Sequence, residues 1–318
     1  MHRIVYLERK SIIAEVRRPA FPHHWIEHPQ TLPPEVAQRL AGATIAIVNK
    51  LPIDAPLIAA LPSLQMIAVA ATGTNNIDLA ACRARGIVVS NIRGYAVHTV
   101  PEHVFALLLA LSRNVIAYRQ AVADGDWQRS EQFCCFAYPI SDLHGATLAI
   151  IGSGSLGGGV ARLAEAFGMH VLRSERKGAA RVRPGYTPFA EALRTADAVS
   201  LHCPLTAETE NLIGDSELRA MKSTALLINT ARGGLVDEAA LVLALQQGWI
   251  AGAGFDVLTV EPPSAGNLLL APELLGLANF LLTPHVAWAS RPAMQALADQ
   301  LVDNLEAFAR DAPQNRVA

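Results

Sequence analysis

The sequence predicts an α/β protein of two domains, each a parallel sheet with helices on its faces. Short β-rich apolar runs alternate with helical patterns through the first hundred residues. The same alternation resumes at residue 147, and an irregular stretch at 124–142, holding Gly125, Trp127 and Pro139, separates the two series. Strand–helix alternation of this kind closes into parallel sheets, because each crossover helix returns the chain to the same edge.

In the first series, residues 4–7, 45–48, 66–70 and 87–89 read as buried strands. Residues 78–85 read as a helix ended by Gly86, the residue most tolerant of a left-handed cap. Residues 99–118 form a long pattern that is apolar nearly all round, so a single helix buried between domains or subunits is expected. Residues 124–142 read as a linker or an arm. In the second series, strands are expected at 147–151, 170–174, 198–201, 225–229, 253–257 and 280–282, with helices such as 156–167 and 237–247 between them. A last helix, 292–309, follows this series and is expected to return to the first domain.

Bulk properties narrow the function classes. The chain has 318 residues, long for one core and comfortable for two. Hydrophobic residues at 51% against 17% charged predict a packed protein. A formal charge of −2 offers no basic excess, so neither nucleic acid nor an anionic membrane surface is an expected partner. The apolar runs 4–7 and 104–111 are too short for a signal peptide and a membrane span respectively. Cys82, Cys134, Cys135 and Cys203 lack zinc-site spacing, and reduced thiols in the cytoplasm are the simple expectation.

Gly152-Ser153-Gly154-Ser155-Leu156-Gly157 fits G-x-G-x-x-G, directly after an expected strand and at the start of an expected helix. Gly152 allows the tight turn, Gly154 lets backbone approach a pyrophosphate, and Gly157 lets helix and strand pack closely. The helix N-terminus adds free N–H groups and a positive dipole end. Glu175 lies 18 positions beyond Gly157, after the next strand, where a ribose-binding carboxylate falls roughly 20 residues on. This context predicts a doubly wound Rossmann domain binding NAD, with NADP possible. Arg173, Arg176 and Lys177 around Glu175 pull toward a 2′-phosphate, whereas Glu175 itself repels one. NADH preference with NADPH also accepted is expected.

Three more segments end expected strands: Asn229-Thr230-Ala231-Arg232-Gly233-Gly234, Asp256-Val257 leading to Glu261-Pro262-Pro263, and Thr283-Pro284-His285. Ligands bind at the carboxyl ends of strands in open α/β sheets, so Arg232, Glu261 and His285 can converge there. Their chemistry suits reduction of a 2-oxo acid. His285 can supply a proton near neutral pH. Glu261 can stabilise its imidazolium. Arg232 can hold a carboxylate through a two-pronged contact and polarise the carbonyl.

With these motifs in this order, the chain resembles the D-isomer-specific 2-hydroxyacid dehydrogenases over nearly its whole length. Within them it is most similar to the glycerate dehydrogenase (hydroxypyruvate reductase) branch, through residues 71–79 (ATGTNNIDL) and 127–139. The resemblance implies Arg232, Glu261 and His285 as the catalytic set. It implies cofactor contacts from Ser155, Leu156, Glu175, Cys203, Pro204, Thr209, Thr230, Ala231, Arg232 and Asp256, beside Gly152, Gly154 and Gly157. It implies that Thr72, Gly73 and Thr74 bind the substrate carboxylate through backbone N–H groups, together with Arg232 and His285. It also implies a smaller flavodoxin-like α/β substrate domain at 1–96 and 287–318, an NAD(P)-binding domain at 97–286, an active site in the cleft between them, and a homodimer. Hydroxypyruvate and D-glycerate are the expected substrate pair. Glyoxylate or another short 2-oxo acid is the alternative, and an NAD-sensing corepressor-like module is the alternative of another class. Residues 286–289 (VAWA) are bulkier than in many relatives, and the chain through about Pro34 matches no motif.

Two clusters have plainer readings. His23, His24 and His28 around Trp25 lie in a Pro-rich stretch without an acidic or Cys partner pattern, so a solvated loop is favoured over a metal site. The vicinal Cys134-Cys135 read as two ordinary buried thiols rather than a redox pair. His103 reads as a core or interface histidine, and Glu102 as a cap partner.

Overall fold

The computed structural model describes residues 1–318. They divide into two compact units, Met1–Ala96 with Ala289–Ala318, and Val97–Trp288.

The first unit holds five parallel strands: β1 (His2–Tyr6), β2 (His23–Glu27), β3 (Ile45–Val48), β4 (Met66–Val69) and β5 (Val88–Ser90). Their order, β2-β1-β3-β4-β5, is the flavodoxin-like one. Every residue of β3 and β4 is buried, as expected of strands covered on both faces. The helix Leu79–Ala84 starts at Asp78, whose side chain accepts from Ala81 N, and stops before Gly86 at φ +67°. The last helix, Arg291–Ala309, belongs to this unit, with buried Asn304 donating to Asn91 O at 3.0 Å.

The histidine-rich stretch is β2, not a solvated loop. It pairs with β1 on one side only, from His2 opposite His23 to Tyr6 opposite Glu27. As an edge strand it tolerates polar residues, so its sequence carries no apolar alternation. No group of three or more His, Cys, Asp or Glu is arranged to hold a metal ion. The motif-free N-terminal segment is tied down by Arg17, which meets Asp303 at 2.6 Å and Glu306 at 2.5 Å on the last helix.

The second unit holds six parallel strands: β6 (Thr147–Ile151), β7 (His170–Ser174), β8 (Ala198–Leu201), β9 (Leu226–Asn229), β10 (Gly252–Phe255) and β11 (Phe280–Leu282). Their order is β11-β10-β9-β8-β6-β7. A single parallel bridge from Ser174 to Thr187 marks one more edge position beyond β7. With it, the order is that of a Rossmann sheet, reversing between β6 and β8. Period-two alternation divides the core. Leu148 and Ile150 of β6 face one hydrophobic cluster, with Val104, Leu108 and Val160, while Ala149 and Ile151 face the other, with Leu193, Leu218 and Leu241.

The 99–118 pattern is not one helix. Thr99–Ser112 and Val115–Ala123 meet at a 53° bend, where Asn114 takes φ +50°. Asn is among the few residues that enter the left-handed region readily. The first segment packs on its own sheet: a Cβ on Gly254 of β10 would lie 3.0 Å from Leu107 Cβ. The second leaves Val115, Ile116 and Val122 about half exposed. Within 124–142 only Asp126–Arg129 is helical, and Cys134 and Cys135 are half-buried rather than buried, with no disulfide. No single helix is long and apolar enough to cross a membrane.

Candidate active site

The fingerprint turn sits between β6 and the helix Ser155–Ala166, at the point where the sheet order reverses. Gly152 holds φ +96°, and a Cβ there would lie 2.5 Å from Cys203 N. A Cβ on Gly157 would lie 2.1 Å from Gly152 O, so both positions exclude any side chain. Gly154 differs, because a Cβ there would meet nothing within 4 Å. Its bare backbone faces open space before a helix N-terminus, as a pyrophosphate site requires.

Neighbouring strand ends complete this site. Thr230 Oγ1 after β9 and His202 Nδ1 after β8 are buried without a hydrogen-bond partner. Burial pushes His202 down to about 4 and raises the Cys203 thiol. Thr209 staples the loop that follows: its hydroxyl accepts from Thr206 N and donates to Pro204 O, both at 2.7 Å. A cradle that only glycine permits and two orphaned polar groups beside it fit a dinucleotide. Glu175 follows β7, as the spacing predicts, but its carboxylate is already engaged by Arg183 at 2.7 and 2.8 Å.

The catalytic candidates converge through backbone contacts. Asn229, at the end of β9, accepts from Ala231 N and donates to Arg232 O, which shapes the turn that carries Arg232. Gly233 then runs so close to the next loop that a Cβ would lie 1.9 Å from Leu258 O. Leu258 N in turn donates to Glu261 Oε1 at 2.9 Å, and Glu261 Oε2 meets His285 Nδ1 at 2.5 Å. Arg232, Glu261 and His285 therefore share one continuous loop cluster. The His285 and Glu261 side chains are 27% and 31% exposed, so a ligand can reach them. Glu261 occupies Nδ1, which leaves Nε2 as the ring nitrogen for proton transfer.

His285 adopts φ +56°, a left-handed conformation costing on the order of 1–2 kcal/mol for a residue with a side chain. Asp256 offsets it. Its carboxylate accepts from Val286 N at 2.9 Å, Ala287 N at 2.8 Å and Thr283 Oγ1 at 2.5 Å. Trp288 Nε1 donates to His285 O at 2.9 Å, so the bulky residue after the histidine braces its turn. His103 Nε2 lies 2.9 Å from Thr283 Oγ1 on the far side. The sequence reading put Asp256 among the cofactor contacts. In the structure Asp256 is 1% exposed, and its carboxylate holds the turn that carries His285.

Thr72, Gly73 and Thr74 follow β4 in the first unit. Thr72 Oγ1 donates to Ile92 O at 2.8 Å and Asn91 Nδ2 to Thr72 O at 2.8 Å, which fixes the loop. The preceding strand end is held likewise, with Glu8 accepting from the backbone of Asn49 and Lys50.

Residues 105–287 match the family model "D-isomer specific 2-hydroxyacid dehydrogenase, NAD binding domain". The chain belongs to the D-isomer specific 2-hydroxyacid dehydrogenases. A glycerate dehydrogenase of Methylorubrum extorquens is 52% identical over 316 residues, covering 99% of this chain and 98% of that one. A 2-hydroxyacid dehydrogenase named as putative, from Haemophilus influenzae, is 44% identical over 98% of this chain and 99% of its own. Among solved structures, an NADPH-dependent glyoxylate/hydroxypyruvate reductase from Sinorhizobium meliloti superposes with a TM-score of 0.82 at 30% identity, over 100% of this chain and 98% of that one. As a 2-hydroxyacid dehydrogenase, the protein is an NAD(P)-linked oxidoreductase of 2-oxo and 2-hydroxy acids rather than a nucleotide-sensing module.

Proposed function

We propose that this dehydrogenase reduces hydroxypyruvate to D-glycerate. The observation that carries the substrate is the 52% identity, over nearly the whole of both chains, to a glycerate dehydrogenase. The residue roles rest on the 2.5 Å contact between His285 and Glu261. When bound, the reduced nicotinamide supplies the hydride. Arg232 grips the substrate carboxylate and polarises the carbonyl. His285 gives the Nε2 proton to the carbonyl oxygen as its π electrons move there, and Glu261 stabilises the imidazolium until the proton leaves. The products are a D-2-hydroxy acid and oxidised cofactor.

The first unit is the substrate domain in this reading, with the backbone N–H groups of Thr72, Gly73 and Thr74 on the carboxylate, and the second is the cofactor domain. The enzyme is a homodimer. Phe133 and Phe136, 90% and 88% exposed, lie with exposed Trp127 in the 124–142 arm, and Val115 and Ile116 are exposed on the helix before it; exposed apolar residues gathered in patches mark interfaces. Its unpaired cysteines suit the cytoplasm. A second reading, glyoxylate reduction, comes from the Sinorhizobium meliloti relative, whose name gives both glyoxylate and hydroxypyruvate. Measuring kcat/KM for a panel of 2-oxo acids with NADH and with NADPH tests the substrate. Hydroxypyruvate is expected to rank first, and a higher value for glyoxylate would replace it.

A further inference from the structure

Glu175 is the one carboxylate in a basic segment that also holds Arg173, Arg176, Lys177, Arg181 and Arg183. It is 4% exposed. Its two oxygens accept four hydrogen bonds. Oε1 takes Arg176 N at 2.9 Å and Arg183 Nη2 at 2.8 Å, while Oε2 takes Arg183 N at 3.0 Å and Arg183 Nε at 2.7 Å. A carboxylate has about four lone-pair sites, so none is left for a ribose hydroxyl. The Arg183 guanidinium, with the two backbone donors, holds the Glu175 carboxyl at about 2, so this pair stays charged on both sides at neutral pH.

Arg183 is held from below as well. Its guanidinium lies 3.8 Å from the ring centroid of Tyr186, and the Tyr186 hydroxyl is 2.5 Å from Ser153 Oγ in the fingerprint turn. A continuous chain of side chains therefore runs from Glu175 through Arg183 and Tyr186 to the phosphate-binding loop. The Arg183 side chain is nonetheless 52% exposed, and Arg176 is exposed beside it. Lys177 is engaged elsewhere, with Glu217 at 2.9 Å.

We propose that Arg183 sets cofactor choice in this enzyme: by neutralising Glu175 and presenting its guanidinium beside Arg176, it makes the adenosine end a site for a 2′-phosphate, so that NADPH binds more tightly than NADH. An unpaired Glu175 would repel the phosphate and accept the ribose hydroxyls. The clamped Glu175 does neither. A ribose without the phosphate must prise a two-pronged ion pair apart to reach the carboxylate, whereas the phosphate attracts the arginines directly. NADPH preference reverses the expectation from sequence, where Arg183 lay too far along the chain to be weighed. The proposal rests on the NAD(P) site of the family and not on which 2-oxo acid is reduced.

Calorimetric titration with adenosine 2′,5′-bisphosphate and with 5′-AMP tests the subsite without turnover, so the outcome is independent of the hydroxypyruvate reading. The wild-type enzyme is expected to bind the bisphosphate at least about tenfold more tightly, the scale of a two-pronged phosphate contact. Arg183→Ala is expected to abolish that preference while 5′-AMP binds as well or better, because Glu175 is freed. Arg183→Lys, which keeps the charge but loses the fork, should fall between. Tighter wild-type binding of 5′-AMP, or a preference that survives in Arg183→Ala, would overturn the proposal. So would an equal loss of both ligands in Arg183→Ala, since Arg183 would then merely hold its loop.

Discussion

Replacing Asp256 with Asn tests how the proton donor is held. The carboxylate is 1% exposed and accepts three hydrogen bonds, from Thr283 Oγ1, Val286 N and Ala287 N. Asn keeps the shape but offers one acceptor oxygen. If that oxygen stays with Thr283 and Val286, the amide NH₂ faces the N–H of Ala287, donor against donor. One buried donor left unsatisfied costs about 1–3 kcal/mol, and the two remaining bonds lose their charge assistance. A total near 3 kcal/mol is reasonable, and in a unit of this size each kcal/mol lowers Tm by roughly 2–4 °C. A fall of about 6–12 °C is expected. The turn that relaxes carries His285 at φ +56°, so the ring loses its placement, and displacement of about 1 Å can slow a reaction on the order of 10²-fold. Thermal melting, steady-state kinetics and a cofactor titration on the variant measure all three effects. The expected result is a lower Tm and a kcat reduced about 10- to 100-fold, with dinucleotide binding nearly intact. A variant that melts within about 2 °C of wild type and keeps its kcat would refute the reasoning.

Other perturbations separate the remaining parts. Arg232→Lys keeps the charge and loses the fork, so a higher KM and a lower kcat are expected together in steady-state assays, and unchanged kinetics would remove Arg232 from the site. Gly157→Ala forces a Cβ to within 2.1 Å of Gly152 O, so titration should show cofactor binding lost; retained affinity would mean the turn is not the cradle. His202 gives a pH dependence of stability. The unfolded chain takes up its proton near 6.5, but burial holds the folded group at about 4, so stability falls as pH drops from 6.5 to 4. The slope approaches 1.4 kcal/mol per pH unit, about 3 kcal/mol in all. His202→Gln should flatten the decline in denaturant midpoint between pH 6.5 and 5, where most carboxylates stay ionised, and an equal decline in both proteins would exclude His202 as its source.

What the sequence showed plainly was periodic. The buried strands β3, β4, β6 and β8 are nearly continuous apolar runs, and Gly86 closes its helix at φ +67°, where a left-handed cap was expected. The fingerprint was legible because its glycines have local causes. What escaped depended on distant partners. β2 is an edge strand whose polar residues conform to no alternation, so only its pairing with β1 reveals it. The bend at Asn114 lies between two apolar segments, and Asn was the only local sign. The Asp256 carboxylate serves backbone N–H groups thirty residues on, which spacing cannot show. Arg183 reaches Glu175 because the chain returns at Thr187 to bridge Ser174, a closure visible only in three dimensions.

That His285 supplies the proton is tested most directly by single-turnover reduction of hydroxypyruvate in His285→Ala, with cofactor affinity measured on the same protein. Glu261 at 2.5 Å fixes the ring through Nδ1 and leaves Nε2 to donate, so removing the ring removes the donor but not the fingerprint turn. The rate should fall on the order of 10²–10⁴-fold while the dinucleotide binds as in wild type. A variant that turns over near the wild-type rate would contradict the assignment.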